Sequence, residues 1–158
     1  MKVCEEFYIN GEWVKPVNDL KTLDVINPAT EEVFGRIALG DKDDVDAAVE
    51  AAYNAFESFG YSSVDERVSL LEKILEVYQG KYDEIAETIS SEMGAPIGLS
   101  KAAQAATGLG HFSTALETLK NYKFEEVKGS ALIRKEPIGV VGMITPWNWP
   151  INQISCKV

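Results

Sequence analysis

The spacing of apolar residues changes character along this chain, and each change predicts a different element. Near the amino-terminal end, Phe7-Tyr8-Ile9-Asn10-Gly11-Glu12-Trp13-Val14 sets aromatic and β-branched residues on either side of an Asn-Gly pair. That pattern predicts a β-hairpin, because the two central residues of its tight turn need positive φ, which Asn and Gly tolerate. Apolar segments at Leu23 to Ile26 and Glu32 to Ala38 flank the turn-rich Asn27-Pro28-Ala29-Thr30 and predict short strands or extended arms.

From Asp41 the period becomes helical. Val45, Ala48, Val49, Ala52, Phe56 and Phe59 fall at offsets 0, 3, 4, 7, 11 and 14, one face of a helix. Asp41 is placed to cap its start, the acids that follow suit the positive end of the helix dipole, and Gly60 ends it. Ser63-Val64-Asp65-Glu66 is a capping box for a second helix, with Leu71, Ile74, Leu75 and Tyr78 as its buried stripe and an interruption at Gly80. A third helix runs through Tyr82, Ile85, Ala86, Ile89 and Met93 and stops at Gly94, with Pro96 just beyond. A fourth, rich in alanine, is expected from Leu99 to Leu119, where small residues permit close approach and Gly108 and Gly110 weaken the helix.

Two more segments complete the pattern. Phe124 to Val127 and Ala131 to Lys135 flank Lys128-Gly129-Ser130 and predict a second, charged, solvent-facing hairpin. Pro137 to Pro150 is then an apolar run closed by two prolines, with Trp147, Asn148 and Trp149 between them. Val140 to Ile144 has too few polar residues to alternate, which suits a strand buried on both faces, although a helical segment of that length has the same pattern. The prolines push Thr145 and Trp149 towards extended backbone, and Pro150 can open a helix. Strand, tight loop and helix are therefore expected, with Trp147 and Asn148 at a strand's carboxyl end, where open α/β sheets bind ligands. A strand buried on both faces needs parallel neighbours, and only one such strand is present, so an apolar edge is expected to stay open.

Composition narrows the function. At 158 residues the chain is one domain or a large piece of one, and its net charge of −10 argues against nucleic acid or anionic membrane as a partner. No segment has the length and apolar character of a signal peptide or a membrane span. Cys4 and Cys156 show no metal or redox spacing, so reduced thiols in a cytoplasmic protein are expected, and no metal site. The common glycine-rich nucleotide loops are absent, since Gly108-Leu109-Gly110-His111 falls within a helical pattern. His111, the one histidine, has no ligand or nucleophile at helical spacing and is expected at the surface or half-buried. Asn148 remains the best candidate: its amide offers neutral donors that can face a developing oxyanion without titrating. The competing structural reading is that Asn148 bonds the turn backbone and that both tryptophans are core.

Ile144-Thr145-Pro146-Trp147-Asn148-Trp149-Pro150 resembles the P-W-N-[FW]-P signature of the NAD(P)-dependent aldehyde dehydrogenase superfamily. Tyr8 to Trp13, Ile26 to Glu32, Gly40 to Ala52 and Glu136 to Val140 agree with the same family in the same order, so the resemblance covers nearly the whole chain. It implies an α/β fold: the amino-terminal part of an aldehyde-dehydrogenase-like fold, with short strands and hairpins, helices and the start of a Rossmann-like parallel sheet. The implied division is 1–122 as the amino-terminal part of the cofactor-binding domain, 123–137 as an oligomerisation hairpin and 138–158 as the start of the Rossmann-like core. The implied activity is oxidation of a small-molecule aldehyde to a carboxylic acid with NAD or NADP, in a homodimer or homotetramer. In such enzymes a cysteine attacks the aldehyde, hydride passes to the nicotinamide, and a glutamate-assisted water releases the acid. By position in the motif, Asn148 takes the oxyanion-stabilising role, while Ile144, Thr145, Pro146 and Trp147 line the cofactor. Thr145 and Trp149 depart mildly from the usual pattern. The family's nucleophilic cysteine, general-base glutamate, cofactor-binding lysine and glycine-rich cofactor stretch have no expected counterpart in this chain, and Cys156 does not match the nucleophile. Residues 1–158 alone are therefore expected to be inactive, with an inactive truncated or subunit-interaction fragment as the alternative reading.

Overall fold

A computed structural model describes residues 1–158, beginning with strands β1 (Lys2–Cys4), β2 (Phe7–Ile9) and β3 (Glu12–Val14). The predicted first hairpin forms: β2 and β3 pair antiparallel, with Asn10 at φ 53° and Gly11 at φ 82° in the turn. Both central residues lie in the left-handed region, the geometry that made Asn-Gly informative.

Strands β4 (Lys21–Asn27) and β5 (Glu32–Leu39) pair antiparallel from Lys21 opposite Leu39 to Asn27 opposite Glu32. The Asn27 side-chain oxygen accepts from the Ala29 amide at 2.9 Å and shapes the connecting turn. β1 joins the other edge of β5 in parallel, giving the order β1-β5-β4. No strand was expected at Lys2–Cys4, because three residues carry no readable period.

Helix α1 (Lys42–Phe59) starts where Asp41 accepts from the Asp43 and Asp44 amides. Asp44 returns the bond to the Asp41 amide at 2.9 Å and takes the Val17 amide at 2.8 Å, which is why an acid is buried here. Losing such a cap costs about 0.5–2 kcal/mol. The apolar face of α1 read from the spacing finds no cover. Val45, Val49 and Phe59 are exposed and only Phe56 is half-buried, because no second layer packs on that stripe.

Helices α2 (Val64–Gly80) and α3 (Tyr82–Met93) follow the expected boundaries, with the Ser63 capping box in place and Lys81 at the junction. Gly94 closes α3 at φ 73°, and a Cβ there would meet Pro28 Cγ at 2.7 Å. The fourth helix is not uniform. A short turn α4 (Ile97–Leu99) leads into a π-helical segment (Ser100–Ala105) and then α5 (Ala106–Asn121). The irregularity thus precedes Gly108 and Gly110, which lie in unbroken helix. Gly108 instead makes room for the Tyr78 ring, whose Cζ would lie 2.6 Å from an added Cβ. The core sits between α2, α3, the π-helical segment and α5, on Tyr78, Ala86, Ile89, Ala105, Phe112 and Leu116.

Strands β6 (Glu125–Lys128) and β7 (Ala131–Arg134) form the second hairpin about Gly129, at φ 62°, and both are exposed throughout. The strand expected at Val140 to Ile144 is not formed. Residues 135–149 carry no helix or strand before α6 (Pro150–Ser155), and the apolar run lies open. A strand exists only through its ladder, and no neighbouring segment offers its amides and carbonyls here.

Candidate functional site

The loop before α6 is built by its prolines. Trp149 takes φ −138° and ψ 66°, outside the helical region, and Pro150 is the first residue of α6. The Trp149 carbonyl accepts the first bond of the helix, from the Gln153 amide at 3.0 Å. The predicted order of loop and helix is thus observed, without the preceding strand.

Side chains of Ile144, Thr145, Pro146, Trp147 and Asn148 are all exposed, Ile144 at 97% and Trp147 at 77%, while Trp149 and Pro150 are half-buried. The reading that both tryptophans are core therefore fails for Trp147. Nor does the Asn148 amide bond the turn backbone: no side chain between Pro137 and Trp149 takes part in a hydrogen bond. The structure brings the sequence-predicted residues together only as consecutive members of one loop, with no general base, nucleophile or cation converging on it.

What anchors this loop is the helix that follows. α6 lies against α5 and the π-helical segment, with Ser155 buried and its hydroxyl donating to the Ile151 carbonyl at 2.7 Å. His111, on α5, places Nε2 at 2.7 Å from Asn152 Oδ1 in a partly buried contact. An amide oxygen only accepts, so the imidazole N–H donates. Of the two placements the sequence left open for His111 on its helix, surface or half-buried, the structure shows the second, and nothing in a separation of 41 residues signals this partner.

Other chemistry-bearing groups lie elsewhere. Cys4 and Cys156 are exposed free thiols, and Cys156 Sγ lies 3.5 Å from Lys157 Nζ. No cluster of three or more His, Cys, Asp or Glu side chains could hold a metal ion. An apolar groove lined by Leu70, Leu71, Ile74, Leu119 and Val158 opens behind α6, and none of residues 144–149 lines it. Tyr78 carries the one large titration shift, pushed up to about 12 by burial and then by Tyr82, but it belongs to the core. No helix is long and apolar enough to cross a membrane.

The chain is similar to known proteins over nearly all of its length. A model described as "Aldehyde dehydrogenase family" matches residues 13–158. A 3-succinoylsemialdehyde-pyridine dehydrogenase of Pseudomonas sp is 49% identical over 159 aligned residues, covering 100% of this chain and 33% of that protein. Among solved structures, an aldehyde dehydrogenase of Bartonella henselae matches with a TM-score of 0.94 and 43% identity, over 98% of this chain and 33% of the other. One from Pseudomonas syringae, solved with NAD+ and octanal, matches with a TM-score of 0.93 and 41% identity, over 96% and 31%. The chain therefore spans about a third of the length of the relatives it matches.

Proposed function

Since the chain belongs to the aldehyde dehydrogenase family, we propose that it supplies the oxyanion donor and part of the cofactor wall of an enzyme that oxidises a small-molecule aldehyde to a carboxylic acid with NAD or NADP. The carrying observation is the loop 144–149, in which the Asn148 amide is exposed and free of internal hydrogen bonds beside the uncovered faces of Trp147 and Ile144. A neutral amide in that state can donate to charge that develops on an aldehyde oxygen, without first giving up an internal bond.

The residues present fit one part of a dinucleotide. Ile144, Thr145, Pro146 and Trp147 offer apolar and backbone surface, suited to a wall, and no cation or glycine cradle for phosphates lies in this loop. When bound, NAD or NADP would accept the hydride. The chain's own residues position that group and orient the carbonyl through Asn148. The aldehyde and the dinucleotide are the partners of this reading, and an unpaired, thiol-bearing surface at Cys4 and Cys156 suits a reducing, cytoplasmic setting.

The division of the chain follows from the same reading: 1–122 as the amino-terminal part of the cofactor domain, 123–137 as an oligomerisation hairpin, and 138–158 as the start of its Rossmann-like core. A second, non-catalytic reading has one observation in its favour. The β6–β7 hairpin stands exposed along its whole length, with Val127, Leu132 and Ile133 uncovered, as a subunit contact in a homodimer or homotetramer would require.

A chimera tests the catalytic reading. Residues 1–158 replace the matching third of the Bartonella henselae enzyme, and aldehyde-dependent NAD(P)H formation is followed. In that chimera Asn148→Ala should lower kcat by about 10²–10³, the usual loss of an oxyanion donor, with dinucleotide affinity retained. An unchanged kcat would remove Asn148 from the chemistry.

A further inference from the structure

The loop that carries Asn148 makes no hydrogen bond of its own to the body of the molecule, so its place depends on what holds its two ends. Upstream, the chain from Pro137 to Trp149 runs without helix or strand, and Gly139 takes φ 114°. Downstream, the loop runs directly into α6, a helix of 6 residues with no side-chain cap. One polar tether joins that helix to a distant part of the chain: His111 Nε2 to Asn152 Oδ1, at 2.7 Å. Every other side-chain hydrogen bond from α6 onwards is local.

From this placement we infer that His111 is a positioning residue, which fixes the rotation of α6 on α5 and through it the placement of Asn148. The inference rests on the oxyanion reading of Asn148 given above. Asn152 is the third residue of α6, in its first turn, and Asn148 lies two positions before Pro150, joined to the helix start through Trp149 alone. Apolar packing, to which the half-buried Ile151 is available, is non-directional and by itself tolerates rotation of the helix on its support. A hydrogen bond is directional, weakening steeply once its angle is lost, so one bond at the first turn selects one rotation. Because the pair is partly buried, removing either partner leaves the other polar group unpaired, which makes the selection sharper than in water.

The test uses the chain itself, in a Trp13→Phe background so that emission comes from Trp147 and Trp149 alone. Hydrogen exchange of the α6 amides reports how often the helix leaves α5, and the anisotropy of the two tryptophans reports how firmly the loop is held. His111→Ala should raise α6 exchange roughly 2- to 12-fold, the population change expected on losing one ordinary hydrogen bond, and lower the anisotropy. Asn152→Ala should do the same, and the double variant should be no worse than either single one. His111→Gln, which returns an N–H donor at about the place of Nε2, should restore both readouts. Parent-like exchange and anisotropy in His111→Ala would overturn the inference. So would a His111→Gln variant as loose as His111→Ala, since the ring would then serve packing alone. Neither readout depends on turnover, so an Asn148 without an oxyanion role would leave these outcomes unchanged and show itself only in the chimera.

Discussion

Tyr78, on α2, ties two further helical segments to its own through its ring and its hydroxyl. Its ring fills the space left by Gly108 on α5 and meets Phe112 edge-on, with centroids 6.2 Å apart. Its O–H donates to the Ala105 carbonyl at 2.7 Å, at the end of the π-helical segment, while Tyr82 donates to the Lys101 carbonyl at its start. The i to i+5 spacing of such a segment loosens the backbone ladder, and these lateral donors compensate it. Tyr78→Phe should cost about 1–3 kcal/mol, because a buried acceptor loses its donor while the ring stays. The same residue sets an alkaline limit. Its phenol rises from an ordinary 10.0 to about 12, first through burial and then through Tyr82, so the folded state keeps the proton longer than the unfolded one. That contribution is intact below pH 10 and is lost as pH rises towards 12. Denaturant midpoints measured across this range should fall in the parent and fall less in Tyr78→Phe; parallel curves would contradict the assignment.

At the scale of elements, what is covered is what finds a partner inside the chain, and a strand, unlike a helix, does not form without one. The hairpins close on themselves, since Asn10-Gly11 and Gly129 supply the backbone freedom their turns need. Helices α2 and α3 bury Tyr78, Ala86 and Ile89 from the stripes read from their spacing and half-bury the rest, because α5 and the π-helical segment lie against them. The segment from Glu136 to Trp149 has a strong apolar signal and no partner, so it has neither ladder nor cover. Limited proteolysis with chymotrypsin should therefore cut first in this segment, at sites such as Trp147 or Met143, before any helix is cleaved. First cleavage within α2, α3 or α5 would show that the apolar run is protected. The α1 stripe follows the same rule, with its period clear in sequence and its partner absent from the fold.

The whole molecule exposes more surface than its size calls for. Its accessible surface is 11157 Å² at 17.4 kDa, against about 7,900 Å² for a compact monomer of that mass. The excess is apolar in part, from α1, the β6–β7 hairpin and the run ending at Trp147. Purified residues 1–158 should therefore bind a hydrophobic dye strongly in their native state. They should also form no NAD(P)H from aldehyde, since an oxyanion donor alone supplies neither nucleophile nor base. Sustained aldehyde-dependent NAD(P)H production by this chain, free of contaminating enzyme, would refute that.

Local physics made much of this protein legible from the chain alone. The helix starts at Asp41 and Ser63, the stop at Gly94, the two hairpin turns and the proline-bounded loop all depend on residues within one or two turns of each other. The motif around Asn148 was legible for the same reason, being seven consecutive residues. Only the tertiary structure decided what depends on distant partners. It joined Lys2–Cys4 to β5, drew the Tyr78 hydroxyl to Ala105, set His111 against Asn152, and left Val140 to Ile144 without a ladder. A period in sequence states which face wants cover; whether anything covers it is settled by segments far along the chain, and here α2 and α3 are covered while α1 and the apolar run are not.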